Sequence, residues 1–407
     1  MGPLTTRIPY ARTLVALAPG HFEAIRSAVA AAFRVAHAEP FQRHVDEDAG
    51  EVARHRPRNF AVFMGYDFHI APEGPRLIEI NTNAGGALLN GLHTAALCNP
   101  ERLGCACRDL LPVDAMEERL LGTFAREQGA HRPGAALAML AIAEDRPGTQ
   151  PLRAEFELFR ALFERHGTQA RVCDVTELER LPGGLALAGQ CLDLVYLRDT
   201  DWRFEEPRSR ALRSAYLEDA VCVTPSPREH HLLANKQRLA LFSQAKELEA
   251  LGASAADAAL LASLVPETRR LEDLGLEAAW RARREWVFKP ASAFGSRAVY
   301  RGDKVSRRKL EEIATAGGFV AQRRVEPGRI EVQTDAGPRR MKFDVRAYAY
   351  RDEVLLLGAR VYEGQVTNLR TPGGGFSAIC VVREAEQGPS RARAAHTVPS
   401  APVIDPE

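Results

Sequence analysis

The stretch from Gly134 to Thr224 most constrains what this chain can fold into. Ala136 to Ala143 is a continuous apolar run, and Leu152 to His166 has the spacing of an amphipathic helix stopped by Gly167. Ala170 to Val175 and Cys191 to Leu197 are two further apolar runs, the last reached through the turn at Pro182-Gly183-Gly184. Strand, helix, strand with short connections is the pattern of a parallel α/β unit. The unit holds no Gly-x-Gly-x-x-Gly and no Walker sequence, so no dinucleotide or P-loop site is read in it.

The flanking regions have a different grammar. Phe22, Ile25, Val29 and Phe33 predict a helix over His21 to Ala38. Two strands follow, Phe60 to Ile70 and Arg76 to Asn81, folded back by Ala71-Pro72-Glu73-Gly74-Pro75 into a hairpin. A glycine-containing loop, Thr82 to Gly91, leads to a helical stretch ending near Gly129, and Pro225 to Ala250 also reads as helical. From Trp286 onward strands dominate: Trp286 to Lys289, Ala298 to Arg301, Phe319 to Val325, Lys342 to Arg351 and Val354 to Val361, with one helix at Ser306 to Ala316. The expected units are 1–133, 134–224 and 225–383. Residues 384–407, rich in Pro, Ala, Arg and Glu, read as a tail.

Composition narrows the partners. A formal charge of +1 over 407 residues provides no field for nucleic acid or an anionic membrane. No apolar run approaches the ~18 residues of a membrane span, and the Leu14 to Ala18 run is too short for a signal-peptide core. Seven cysteines, with one cluster at Cys98, Cys105 and Cys107 and no zinc spacing, fit reduced thiols in a cytoplasmic protein.

The hairpin carries the first chemical signal. Glu79 and Asn81 are two apart on a strand and share a face, and the turn lays Asp67 beside them. Three hard oxygen donors with open positions suit Mg²⁺, which takes its other ligands from water and phosphate. The alternative is a half-solvated strand with alternating polar residues.

The second signal lies in the later half. Val287-Phe288-Lys289-Pro290 is a strand that runs into a small-residue loop containing Gly295 and Ser296, where loop amides and a strand-borne lysine can meet phosphates. Lys236, near a helix start, is a second candidate phosphate contact. Ala321 and Gln322, on an apolar strand after a helix, are placed to line an adenine edge. Lys342, Asp344 and Arg346 share a strand face, and Arg346 is a candidate for neutralising a transferring phosphoryl group. A hairpin turn, a surface lysine and a salt-bridge ladder are the plainer readings of these segments.

In this order the segments resemble the ATP-grasp superfamily, and specifically its circularly permuted branch of eukaryotic-type glutathione and glutathionylspermidine synthetases. The match runs from about Phe60 to Val382. Tyr66-Asp67-Phe68 with Ile78-Glu79-Ile80-Asn81-Thr82 is similar to the family's metal hairpin, and Leu192-Asp193-Leu194-Val195-Tyr196-Leu197-Arg198 to its Asp-Val-Val-Tyr-x-Arg strand. Lys236 and Lys289 fall on the two ATP lysines, Gln322 to Pro327 on the hinge, Arg360 on a substrate-carboxylate arginine and Gly373 to Ala378 on the lid loop.

The resemblance implies a mixed α+β and α/β architecture: a permuted ATP-grasp fold with a parallel α/β lobe. It also implies an ATP-dependent carboxylate–amine ligase using Mg²⁺ and an acylphosphate. Its site residues would be Lys236, Lys289, Gly295, Ser296, Ala321, Gln322 and Lys342 for the nucleotide, and Asp67, Glu79 and Asn81 for the metal. Arg346 and Lys289 would serve catalysis, and Asn83, Arg198, Arg360 and Gly374 the substrate. The partners would be a small carboxylate and an amine, with a homodimer left open. A small-molecule kinase of the same fold, or a nucleotide-binding protein without catalysis, are the alternatives. Three departures count against glutathione synthesis itself: Gly65 and Tyr362 stand where the family has basic residues, and Ala293 where it has an acidic metal ligand.

Overall fold

The structure, a computed structural model, describes residues 10–97, 113–291, 298–365, 367 and 371–382. Four sheets organise these residues. The largest contains β1 (Tyr10–Leu17), β2 (Met64–Ala71), β3 (Gly74–Asn81), β15 (Gly328–Thr334), β16 (Gly337–Tyr350), β17 (Glu353–Tyr362) and β18 (Gly375–Val381). Its order is β1-β18-β17-β16-β2-β3, with β15 also on β16. The early hairpin therefore docks on a strand from the far end of the chain, with Arg346 opposite Asp67 and Tyr348 opposite Gly65.

The parallel unit predicted from sequence is present. Its strands are β4 (Met139–Glu144), β5 (Gln169–Asp174), β9 (Leu194–Leu197) and β10 (Cys222–Thr224), in the order β10-β9-β4-β5. A meander of β6 (Leu178–Leu181), β7 (Gly184–Leu187) and β8 (Gln190–Cys191) leaves it. The third body is antiparallel: β11 (Thr268–Arg270), β12 (Trp286–Pro290), β13 (Tyr300–Arg301) and β14 (Phe319–Arg323), in the order β11-β14-β12-β13.

Five helices matter for the packing: α1 (Pro19–Ala36), α2 (Ala87–Leu97), α3 (Val113–His131), α4 (Arg153–Arg165) and α5 (Arg307–Ala316). The α1 helix buries Ile25, Ala28, Val29, Ala32, Phe33 and Ala36, the stripe its spacing predicts, against the large sheet. The α5 helix begins where the Ser306 side chain accepts from the Lys309 amide and stops at Gly317, whose φ of 69° admits a residue without Cβ. A second core joins α3, α4 and the parallel sheet. There Phe124 packs edge-on to Phe163 and Tyr196, each at 4.9 Å.

Some elements differ from expectation. The Leu14 to Ala18 run belongs to β1, which pairs in parallel with β18. Gly375 to Ala378, read as lid loop, is the start of β18. Pro225 to Ala250 is a broken series: a short turn at Pro227–Glu229, a π-helical turn at His230–Ala234, then Gln237–Phe242 and Ala245–Ala250. Cys380 is disulfide-bonded, while Cys173, Cys191 and Cys222 are free, so the reading of uniformly reduced thiols is corrected. Residues 384–407 lie outside the described residues. Among the described residues no helix is long and apolar enough to cross a membrane.

Candidate active site

The site is built on the sheet face shared by β3, β2, β16 and β17. Asp67 lies directly opposite Glu79, and Gly65 opposite Asn81. A bulge between Asp67 and Phe68 leaves Ile78 without a cross-strand partner. Its carbonyl accepts a hydrogen bond from Lys289 Nζ at 3.0 Å, so the bulge is the seat of a lysine that enters from β12. Lys289 also donates to Gln322 Oε1 at 2.8 Å.

Lys236 meets Glu79 Oε1 at 2.9 Å. Its backbone amide donates to the carbonyl of Ala291, which ties the two lysine-bearing segments together. The break after the π-helical turn permits this, since Asn235 is extended there and Lys236 restarts a helix. Burial draws the Lys289 ammonium down to about 8, with Lys236 adding to the shift and Glu79 and Asp67 opposing it. Burial alone would raise the Glu79 carboxyl, but the two lysines outweigh it and hold it below its usual range.

Asp67 is 2 % exposed, and two guanidiniums surround it. Arg346 holds it in a bidentate pair at 2.6 and 2.7 Å. Arg360 reaches it at 3.0 Å and bridges on to Asp344 at 2.6 Å. Against the penalty of burial, Arg346 and Arg360 hold the Asp67 carboxyl at about 2. The predicted face of Asp344 and Arg346 is thus real, and Arg360 belongs to it.

A second cluster borders this one at the carboxyl ends of β4 and β9. The chain runs from β4 outward to β5 and returns to β9 on the other side, so these two ends flank the topological switch, where open α/β sheets bind ligands. Arg198 follows β9, only 5 % exposed. Its polar contacts are Tyr196 Oη at 3.1 Å and the Asn83 carbonyl at 3.3 Å, and its Nε has no partner. Glu155 and Glu144 are the carboxylates whose charge acts on it, and neither forms a direct ion pair with it among the described residues, so its donors can take an anion.

Asn83, held at φ 52°, spends its side-chain amide on the carbonyls of Asp199 and Arg198 at 2.7 and 3.3 Å, so it latches the Arg198 loop. Glu144 closes β4 beside Arg198. Burial, with Asp199 and Asp145 adding, pushes its carboxyl up to about 7 against the pull of Arg198. Glu144 was not read from the sequence, although a carboxylate ending an all-apolar strand was the available signal. Glu155 was also missed. From α4 it accepts from the Gly86 and Leu88 amides at 2.8 and 3.1 Å and pins the loop between β3 and α2.

Other expected residues sit elsewhere. Ala321 and Gln322 lie in the middle strand of their sheet, paired on both sides, so their backbone edges are consumed and the Gln322 side chain serves Lys289. Lys342 shares the Asp344 and Arg346 face but donates to the Gly364 carbonyl at 2.6 Å. Gly374 forms a turn with Thr371 and packs against the Val361 carbonyl, away from the lysines. Gly295, Ser296 and Ala293 lie outside the described residues. Tyr362 is buried, 2 % exposed.

The residues fit the implied ligands unequally. Two buried lysines converging on one strand suit phosphate oxygens. For a metal, Glu79 meets only Lys236 as an ion-pair partner and Asn81 Oδ1 accepts no hydrogen bond among the described residues, whereas both Asp67 oxygens are engaged by the arginines and by Asn81 Nδ2 at 3.1 Å. Among the described residues no group of three His, Cys, Asp or Glu side chains is placed to hold a metal ion.

No protein-family model matches the sequence, and no curated protein matches it. Among solved structures, a glutathione synthetase-like effector from Globodera pallida superposes with a TM-score of 0.61. It covers 92% of this chain and 90% of its own at 12% identity. The chain has the glutathione synthetase-like fold. At this identity the likeness concerns the fold alone. A protein provisionally assigned as a gamma-glutamylcysteine synthetase from Methylobacillus flagellatus KT reaches 0.49 at 11% identity, over 90% of this chain and 87% of its own. An ATP-grasp ligase complexed with a minimal precursor reaches 0.34 at 16% identity, over 62% and 79%. These two are too distant to carry weight.

Proposed function

We propose that this protein with a glutathione synthetase-like fold is an ATP-dependent carbon–nitrogen ligase. It would activate a small carboxylate as an acylphosphate and pass the acyl group to an amine, releasing ADP and phosphate. The observation that carries this reading is the convergence of Lys236 and Lys289 on the strand of Glu79 and Asn81. Two cations beside the Glu79 and Asn81 oxygens would suit a metal-bound polyphosphate, and positioned charge is the main catalytic resource in phosphoryl transfer.

Lys236 and Lys289 hold phosphates in this account, and Glu79 and Asn81 hold Mg²⁺, which supplies charge neutralisation between phosphate oxygens. The Lys236–Glu79 bridge is direct, so the nucleotide enters by replacing it. Arg198, buried at the switch point with Glu144 and Glu155 near it, would take the substrate carboxylate. In this reading the hairpin precedes the lysines in sequence, the order a circularly permuted ATP-grasp chain would have.

The test is ADP release from Mg·ATP with a pool of small carboxylates, with and without amines. The ligase account expects sustained turnover only when both are present, and Arg198→Met to raise the KM for the acid. Amine-independent turnover would instead identify a kinase, and no ADP release under any condition would contradict catalysis.

A further inference from the structure

Asp67 and Glu79 face each other across the hairpin, yet their surroundings differ in kind. A carboxylate offers about four acceptor positions. Asp67 meets four donors: Arg346 Nε at 2.6 Å on Oδ1, and Arg346 Nη2 at 2.7 Å, Arg360 Nη2 at 3.0 Å and Asn81 Nδ2 at 3.1 Å on Oδ2. Glu79 meets a single cation among the described residues, Lys236 at its Oε1, 2.9 Å away, and no guanidinium.

The chain of contacts continues through Arg360 Nε to Asp344 Oδ1, and Asp344 Oδ2 accepts from the Thr367 hydroxyl, each at 2.6 Å. The acids lie beneath, at 2 % and 0 % side-chain exposure, and the guanidiniums above them, at 12 % and 14 %. Neither arginine spends its Nη1 on a protein acceptor. Gly65 lies close to this pair: a Cβ there would stand 2.6 Å from the Ala84 Cβ and 3.3 Å from Arg346 Nε, so a side chain at this position would crowd Ala84 first and press on the guanidinium.

We propose that Asp67 is a positioning residue and not a metal ligand: with Asp344 it fixes Arg346 and Arg360 as a paired-guanidinium site for the terminal phosphoryl group of the nucleotide. The metal share of the sheet is then Glu79 and Asn81. The inference rests on the nucleotide reading above. Its geometric basis is that two arginines locked on shared buried acids present fixed donors, which is how oriented guanidiniums recognise a phosphoryl group.

The experiment follows Mn²⁺ by electron paramagnetic resonance in complexes with ADP and with the non-hydrolysable triphosphate AMPPNP. In wild type both Mn²⁺ complexes bind. In Asp67→Asn the affinity for Mn·ADP stays within about twofold while that for Mn·AMPPNP falls by about tenfold or more. In Glu79→Gln both fall, with loss of the protein-bound Mn²⁺ signal. Should Asp67→Asn not fold, Arg346→Lys carries the same test, since it leaves the carboxylate in place and removes only the bidentate donor. Mn·ADP binding lost in Asp67→Asn as in Glu79→Gln would overturn the proposal, as would unchanged AMPPNP binding. Failure of wild type to bind Mn·ADP would sink the nucleotide reading itself, a different result.

Discussion

At the residue scale, the legible signals were those set by local spacing. Glu79 and Asn81 share a face because they are two apart, and Lys289 was conspicuous on an apolar strand beside Pro290. The fate of Asp67 was not legible, because its partner Arg346 is 279 residues away and becomes a neighbour only through strand pairing. Glu144 gives a residue-scale prediction. Its folded carboxyl is raised to about 7, so the native state keeps a proton that the unfolded chain releases above about 4.3. Stability is therefore lost as the pH rises through 7. Glu144→Gln removes this loss and is expected to be more stable than wild type at pH 8, by on the order of 2 kcal/mol, with the gain shrinking toward pH 5. Urea melts at the two pH values check it, and a variant less stable at pH 8 would contradict the assigned environment.

At the scale of elements, strong periodicity succeeded and cooperative pairing did not. The α1, α4 and α5 helices and the hairpin were read almost to their ends, because stripe, cap and turn residues agree. By contrast β1 is half-hidden in sequence. It is stabilised by β18, more than 350 residues later, rather than by its own pattern. The Pro225 to Ala250 helix was overread because helical periodicity persists through the break at Asn235 that seats Lys236 on Ala291. The aromatic core of α3 and α4 carries a prediction of its own. Phe124 is 0 % exposed and touches Phe63, Phe159, Phe163 and Tyr196. Phe124→Ala is expected to cost about 3–5 kcal/mol in denaturant titration, and a loss under about 1 kcal/mol would show that α3 is not part of the core.

At the scale of the molecule, function follows from which bodies the large sheet brings together. A hairpin from the first hundred residues is paired with a strand from the last hundred, and Lys289 of the third body and Lys236 of the segment before it meet its second strand. The parallel sheet places Arg198 at its switch point on the border of the same face. The sequence order of these pieces was readable, but their closeness was not, because it depends on three sheets packing at one place. The most direct measurement is calorimetric titration of Mg·ATP into wild type and Lys289→Ala. The account predicts saturable binding in wild type, weakened at least about tenfold in a variant that still melts cooperatively. No binding by wild type, or equal binding by both, would contradict it.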